Sequence, residues 1–299
     1  MDTTQLLYFV RERETIRLRR AAGQPQPWTD DPILRAWSFT NVRREDDRVT
    51  RWIAANWREP HADDPDLWFA MVVARFVNWP NTLSEIGYPA PWDPEKFLAV
   101  MRSRAERGDQ LYGPAYMIRA DSKNPGRATA EYQAAEVFKP LWKARGWMSP
   151  KRGDTLAKYF GRLKEFHGMG GGFMPAQIVA DIKFVKPLLD APDWTTFAAS
   201  GPGSRRGLNR VLGRPKDSPW SEESWRSAFA RLREVIAPEL VEMGLGDLDA
   251  QSLQSCLCEL DKMERVRLGE GSPRRRFVPS TEPLPAPALG RRDTVCAPA

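Results

Sequence analysis

D-T-L-A-K-Y-F-G-R-L-K-E-F-H-G-M-G-G-G-F-M-P-A-Q-I-V-A-D-I-K-F-V-K, residues 154–186, sets two segments of helical period on either side of four glycines in five residues. Apolar side chains recur three and four apart in 154–166 and again in 173–186, and glycine is the residue that lets a chain reverse between two helices. The same period returns over 46–57, 65–77, 94–107, 129–145, 221–235 and 250–266. Acidic residues precede the first of these, proline opens the next two, and Gly108 stops the third. Residues 112–118 have no clear period, and few alternating runs survive, so the expected fold is predominantly α. Residues 1–20 read as a frayed amphipathic helix followed by the linker Gln24-Pro25-Gln26-Pro27. The expected division is an N-terminal helix and linker over 1–27, a helical domain over 28–268, and a mobile Pro/Arg-rich tail over 269–299.

Composition narrows the class. The chain has 299 residues, 41% of them hydrophobic, enough for one large domain or two packed ones. Its 12 Trp, among them Trp37, Trp52, Trp57, Trp68, Trp79, Trp142 and Trp147, are expected as packing groups before stacking platforms. No signal peptide and no apolar run of membrane-spanning length is read. Three cysteines without metal-ligand spacing exclude a disulfide framework and a zinc site, so a reducing cytoplasm is the expected compartment. The charge of +6 is unevenly spread: residues 119–216 hold 18 Lys/Arg against 8 Asp/Glu, a local +10, which leaves −4 for the rest. Such a single-signed middle is the footprint of a groove that follows a polyanion, with a solvated surface as the plainer alternative.

The glycine turn resembles a helix-hairpin-helix. There, backbone N–H groups at the start of the second helix face a DNA phosphate. Gly170, Gly172 and Ala176 meet its G-x-G-x-x-x-A pattern, while Gly168 stands where an apolar residue is usual. In glycosylases built on this motif an acid follows the second glycine by about twenty residues, and Asp190 and Asp193 bracket that spacing. Gly168, Gly170 and Gly172, with Arg210, are therefore the expected DNA contacts, against a plain interhelical turn.

Three further groups could carry chemistry. G-P-G-S-R-R-G-L-N-R, 201–210, lies in an acid-free stretch and reads as a phosphate-holding loop through Ser204, Arg205, Arg206 and Asn209. It is not a Walker A loop, and no G-x-x-x-x-G-K-[ST] occurs in the sequence. F-T-N-V-R-R-E-D-D-R-V-T, 39–50, crowds seven charged or amide side chains at a helix entrance. Asn41, Arg43, Arg44 and Glu45 exceed what a cap requires and form either a salt-bridge lattice or a site. Gln177 and Asp181 share one face of the helix after the glycines, and Asp181 stands in an otherwise apolar run. His61 and His167 are too isolated for a zinc site or a Ser/His/Asp triad, and no cofactor or metal is expected. In L-C-E-L-D-K, 257–262, Glu259 and Lys262 pair at i, i+3.

Taken in order, the blocks at Phe39, Trp79 (W-P-N-T-L-S-E-I-G), Gly168, Gly201 and Leu257 resemble one family, over roughly 28–276. It is the α-glutamyl/putrescinyl thymine pyrophosphorylase family of phage amino acid:DNA transferases, related to the helical domain of hydroxymethyluracil DNA kinases. The resemblance implies a helix-hairpin-helix glycosylase-like fold and transfer of an amino acid amine to the 5-methylene of phosphorylated 5-hydroxymethyluracil in DNA. Phosphate or pyrophosphate is displaced, with functional coupling to such a kinase. The partners are then that DNA and a free amino acid. The chemistry asks for cations on the leaving phosphate, a base for the amine and a flipped nucleotide. Asp193, then Asp181, and Glu45 in reserve, are the expected bases. The alternatives are a glycosylase or lyase using Asp193, and a non-catalytic DNA-binding subunit.

Overall fold

The computed structural model describes residues 1–116, 123–124 and 126–279. Part of the 112–118 segment and most of the expected tail lie outside the described residues. Among those described there is no strand. The helices are α1 (Thr4–Ala21), α2 (Pro32–Ala36), α3 (Arg48–Ile53), α4 (Leu67–Val77), α5 (Pro80–Ile86), α6 (Pro94–Glu106), α7 (Thr129–Tyr132), α8 (Lys139–Lys143), α9 (Arg145–Met148), α10 (Leu156–Lys164), α11 (Phe173–Ile182), α12 (Lys186–Leu189), α13 (Pro202–Val211), α14 (Glu222–Glu242) and α15 (Ala250–Arg267). Wide π-helical turns continue α3 over Ala54–Arg58 and α7 over Gln133–Phe138.

Among the described residues these elements form two compact units, one over 1–47 and 195–279 and the other over 48–194. In the first, α1, α2, α13, α14 and α15 enclose Leu6, Phe9, Val10, Ile16, Leu34, Leu208, Trp225, Leu232, Ile236, Leu257 and Leu260. The N-terminal helix is thus an integral wall of a core and not the frayed segment that its charge density suggested. Most of its charges fall on the outer face while Leu6, Phe9, Val10 and Ile16 point inward, together with the buried charges of Arg13 and Glu14. Residues 275–277, within the expected tail, are also held: Ser38 N–H donates to Arg275 O, Phe277 N–H donates to Ala36 O, and Arg276 stacks over Trp37 at 4.0 Å.

The expected loop over 201–210 is helix α13, closed at its start by Ser204. Gly201 N–H donates to Ser204 Oγ, 3.0 Å, and the hydroxyl donates back to Gly201 O. Its glycines serve packing. A Cβ on Gly203 would lie 2.3 Å from Cys258 Sγ, and one on Gly207 2.1 Å from the Leu257 carbonyl oxygen. Bare glycine lets α13 lie directly on α15.

The second unit is built on α4, in which L-W-F-A-M-V-V-A-R-F-V is buried throughout. Phe69, Phe76, Trp92, Phe97, Phe138 and Trp142 interlock around it, with ring centroids 5.0–6.3 Å apart. Trp147, expected as a packer, is 43% exposed. The glycine turn joins α10 to α11. Gly168 and Gly172 take φ of +83° and +75°, and Gly172 is the residue before α11.

Candidate functional site

The first and last sequence blocks meet in the first unit. Asn41 N–H donates to Asp47 Oδ1 at 2.9 Å, Asn41 Nδ2 donates to the Asp46 carbonyl at 2.8 Å, and its Oδ1 accepts from Arg13 at 3.2 Å. Buried Arg13 also donates to the Phe39 and Thr40 carbonyls. Glu259 Oε2 accepts from Thr40 N–H and pairs with Lys262, whose ammonium lies 4.6 Å from the centre of the Phe39 ring. Desolvation pushes Asp47 up to about 6; the Asn41 N–H, Arg44 and Arg13 restrain the rise, and Glu259 adds to it. Arg44 and Glu45 sit in the one-turn helix Arg44–Asp46 before it. Arg43 turns away to Asp247, 2.5 Å, and the Gly244 carbonyl.

On another flank of α15, Asp261 is buried and gathers three guanidiniums. Arg206 Nε lies 2.8 Å from it, Arg210 Nε 3.0 Å and Arg265 Nε 3.6 Å. Arg210 and Lys216 share Glu270 and hold its carboxyl down to about 2. Arg206 and Arg265 are partly exposed, and their terminal nitrogens have no protein partner among the described residues. Four cations against two carboxylates make a fixed cationic face. Arg205, by contrast, is committed to Ser200 Oγ, the Trp220 carbonyl and Glu222. Buried Asn209 donates to the Lys216 and Ser218 carbonyls and so pins the turn after α13. Of the expected phosphate ligands on 201–210, Arg206 is the one whose donors face outward; Ser204, Arg205 and Asn209 have structural partners.

In the second unit the glycine turn and α11 carry the other expected residues. Gln177 accepts from the Tyr116 hydroxyl, 2.9 Å. Asp181 is fully buried and bidentate with Arg75, which also reaches Thr50 Oγ1 and Asn78 Oδ1. Thr50, Asn78 and Asp181 come from or border three different blocks, so this buried ion pair is what those blocks share here. Asp193 accepts from Leu156 N–H, 2.7 Å, and Ala157 N–H, 2.9 Å, at the start of α10. His167 Nε2 is 2.7 Å from the Tyr132 hydroxyl. A Cβ on Gly168 would press on Val137 at 2.9 Å, whereas Gly170 and Gly171 have open space around them.

The sequence reading missed Arg13, Arg75, Asp47 and Asp261. Arg75 had a signal, as the one charge in the apolar run of α4. Asp261 had only its i, i+4 spacing to Arg265, because Arg206 and Arg210 lie 55 and 51 residues away.

The model of the family described as 5-hmdU DNA kinase, helical domain, matches residues 2–272. A 5-hmdU DNA kinase of Bacillus phage SP10 is 26% identical over 288 residues, covering 86% of this chain and 44% of that kinase. The chain thus spans less than half the length of that relative. No solved structure matches. The match over nearly the whole chain places this protein in the family of the 5-hmdU DNA kinase helical domain.

Proposed function

We propose that this chain acts on DNA bearing phosphorylated 5-hydroxymethyluracil and transfers an amino acid to it. The C–O bond to the phosphorylated leaving group breaks at the 5-methylene, a C–N bond forms to the amine, and the amine proton passes to a carboxylate. Phosphate or pyrophosphate departs. The observation that carries the reading is the cationic face on α13 and α15, with the outward donors of Arg206 and Arg265 fixed by Asp261. Such a face suits a leaving phosphate or a flanking DNA phosphate. Transfer, as opposed to phosphorylation, is supported by the five-block resemblance and by phosphate handling without a Walker A loop in this sequence.

Asp47 has the properties that a base for the amine requires. It sits among Arg13, Asn41 and Glu259, and an affinity for protons near 6 leaves it ionised yet basic around neutrality. Glu45 lies two residues away. Asp181 and Asp193, the first expectations, are held by Arg75 and by the α10 amides. The glycine turn, read as a helix-hairpin-helix in a glycosylase-like fold, would anchor the strand through the open backbone around Gly170 and Gly171. The remaining reading, a non-catalytic DNA-binding subunit of a modification complex, would use the same cationic face for phosphate without a base. Nucleoside mass spectrometry after incubating phosphorylated 5-hydroxymethyluracil DNA with the protein and a mixture of amino acids separates the two. Transfer adds an amino acid residue to the base; the binding subunit leaves its mass unchanged.

A further inference from the structure

The first unit holds a cavity of about 490 Å³, a size typical of small-ligand sites, which shares Arg13 with the cluster around Asp47 and is otherwise lined by residues that the reaction above does not use. Its lining includes Arg13, Trp28, Thr29, Leu34, Arg35 and Phe277 and no carboxylate side chain. Trp28 and Phe277 meet edge to face with ring centroids 6.2 Å apart, and Arg20 stacks on both, 5.0 and 5.8 Å from their centres. Both walls are fixed from the backbone. Trp28 Nε1 donates to the Gln24 carbonyl and Arg19 donates to the Trp28 carbonyl, while Phe277 is held by its N–H bond to Ala36 O. Arg35 is exposed on the rim, with no partner among the described residues, and the exposed Arg274 and Arg275 precede Phe277.

We infer that this cavity is a nucleotide site, in which Trp28 and Phe277 receive a base and Arg35 its phosphate. Aromatic faces, guanidiniums and an absence of acid in the lining suit a flat ring joined to an anion. An apolar acid would not need the arginine border, and a cationic ligand would be repelled by it. The nucleotide comes either from a DNA strand, with the base turned into the slot, or from the free pool. The inference goes beyond the reaction proposed above, since it concerns binding of unmodified nucleotides and stands or falls without any transfer.

The test uses the full chain with two probes, an end-labelled single-stranded oligothymidylate followed by anisotropy, and thymidine 5′-monophosphate as competitor. Trp28→Ala and Arg35→Ala should each weaken oligonucleotide binding about ten-fold or more, with unchanged circular dichroism. Competition by the monophosphate at similar affinity per nucleotide assigns the site to the free nucleotide; binding of the strand alone assigns it to an extruded base. Wild-type binding by both variants, or no binding of either probe by the native protein, overturns the inference. So does loss in Arg35→Ala with no loss in Trp28→Ala, because that marks mere surface charge. Should Trp28→Ala fail to fold, Phe277→Ala replaces it under the same criteria.

Discussion

Asp47→Asn removes a titrating group from the centre of the Arg13, Asn41 and Glu259 cluster while keeping its size and an acceptor for the Asn41 N–H. In the folded chain desolvation lifts Asp47 from 3.8 to about 6. At about 1.4 kcal/mol per factor of ten in proton affinity, that difference corresponds to about 3 kcal/mol. The sign follows from which state holds the proton more tightly. Because the folded value is raised, the favourable contribution is fully present below pH 3.8 and is lost as pH rises through about 6. Roughly half of the loss, about 1.4 kcal/mol, falls between pH 5 and 7.5. Asn does not titrate, so the stability of Asp47→Asn relative to the native chain should improve by about 1 kcal/mol over that interval. Urea unfolding followed by tryptophan fluorescence at the two pH values measures the difference. A difference that stays constant, or that moves the other way, refutes the desolvated placement of this carboxyl. The same titration should appear in turnover as an ascending limb near pH 6, absent from the Asn variant.

Other changes probe the frame that holds these groups. Gly207→Ala drives a methyl into the Leu257 carbonyl, so α13 must move off α15, and a loss of about 1–3 kcal/mol is expected in chemical unfolding. Asp181→Asn leaves Arg75 buried beside a neutral partner and should cost about 3–5 kcal/mol, whereas replacing both by apolar groups of similar volume should cost much less. Asp193→Ala should lose about 1 kcal/mol through the start of α10 and keep its transfer rate; a collapse of turnover with intact folding would return Asp193 to the role of base.

Helix existence was legible in the sequence wherever period and punctuation agreed, as around the glycine turn and in α4, α6 and α15. It failed at α13, where two glycines and three arginines in ten residues look like a loop. There Gly203 and Gly207 are small for the sake of a neighbouring helix, a cause that local propensity does not contain. At α1 the helix itself was read, but not that it walls a core, because the density of charge hides a buried face that includes Leu6, Phe9, Val10 and Ile16. Site residues were legible as types and not as partners. Arg206 was expected as a phosphate ligand, but its anchor Asp261 lies in a different helix, and no spacing rule links the two. Asp181 stood out as an acid in an apolar run, yet whether it was a base or an ion-pair member turned on Arg75, 106 residues earlier.

Whether this chain transfers an amino acid to DNA is decided by nucleoside mass spectrometry on phosphorylated 5-hydroxymethyluracil DNA, with native protein and Arg206→Ala side by side. The native chain should give a nucleoside heavier than 5-hydroxymethyldeoxyuridine by one amino acid residue, with phosphate or pyrophosphate released in equal amount, and Arg206→Ala should form it at least ten-fold more slowly. DNA bound tightly by both proteins, with every base mass unchanged across all twenty amino acids, would contradict transfer.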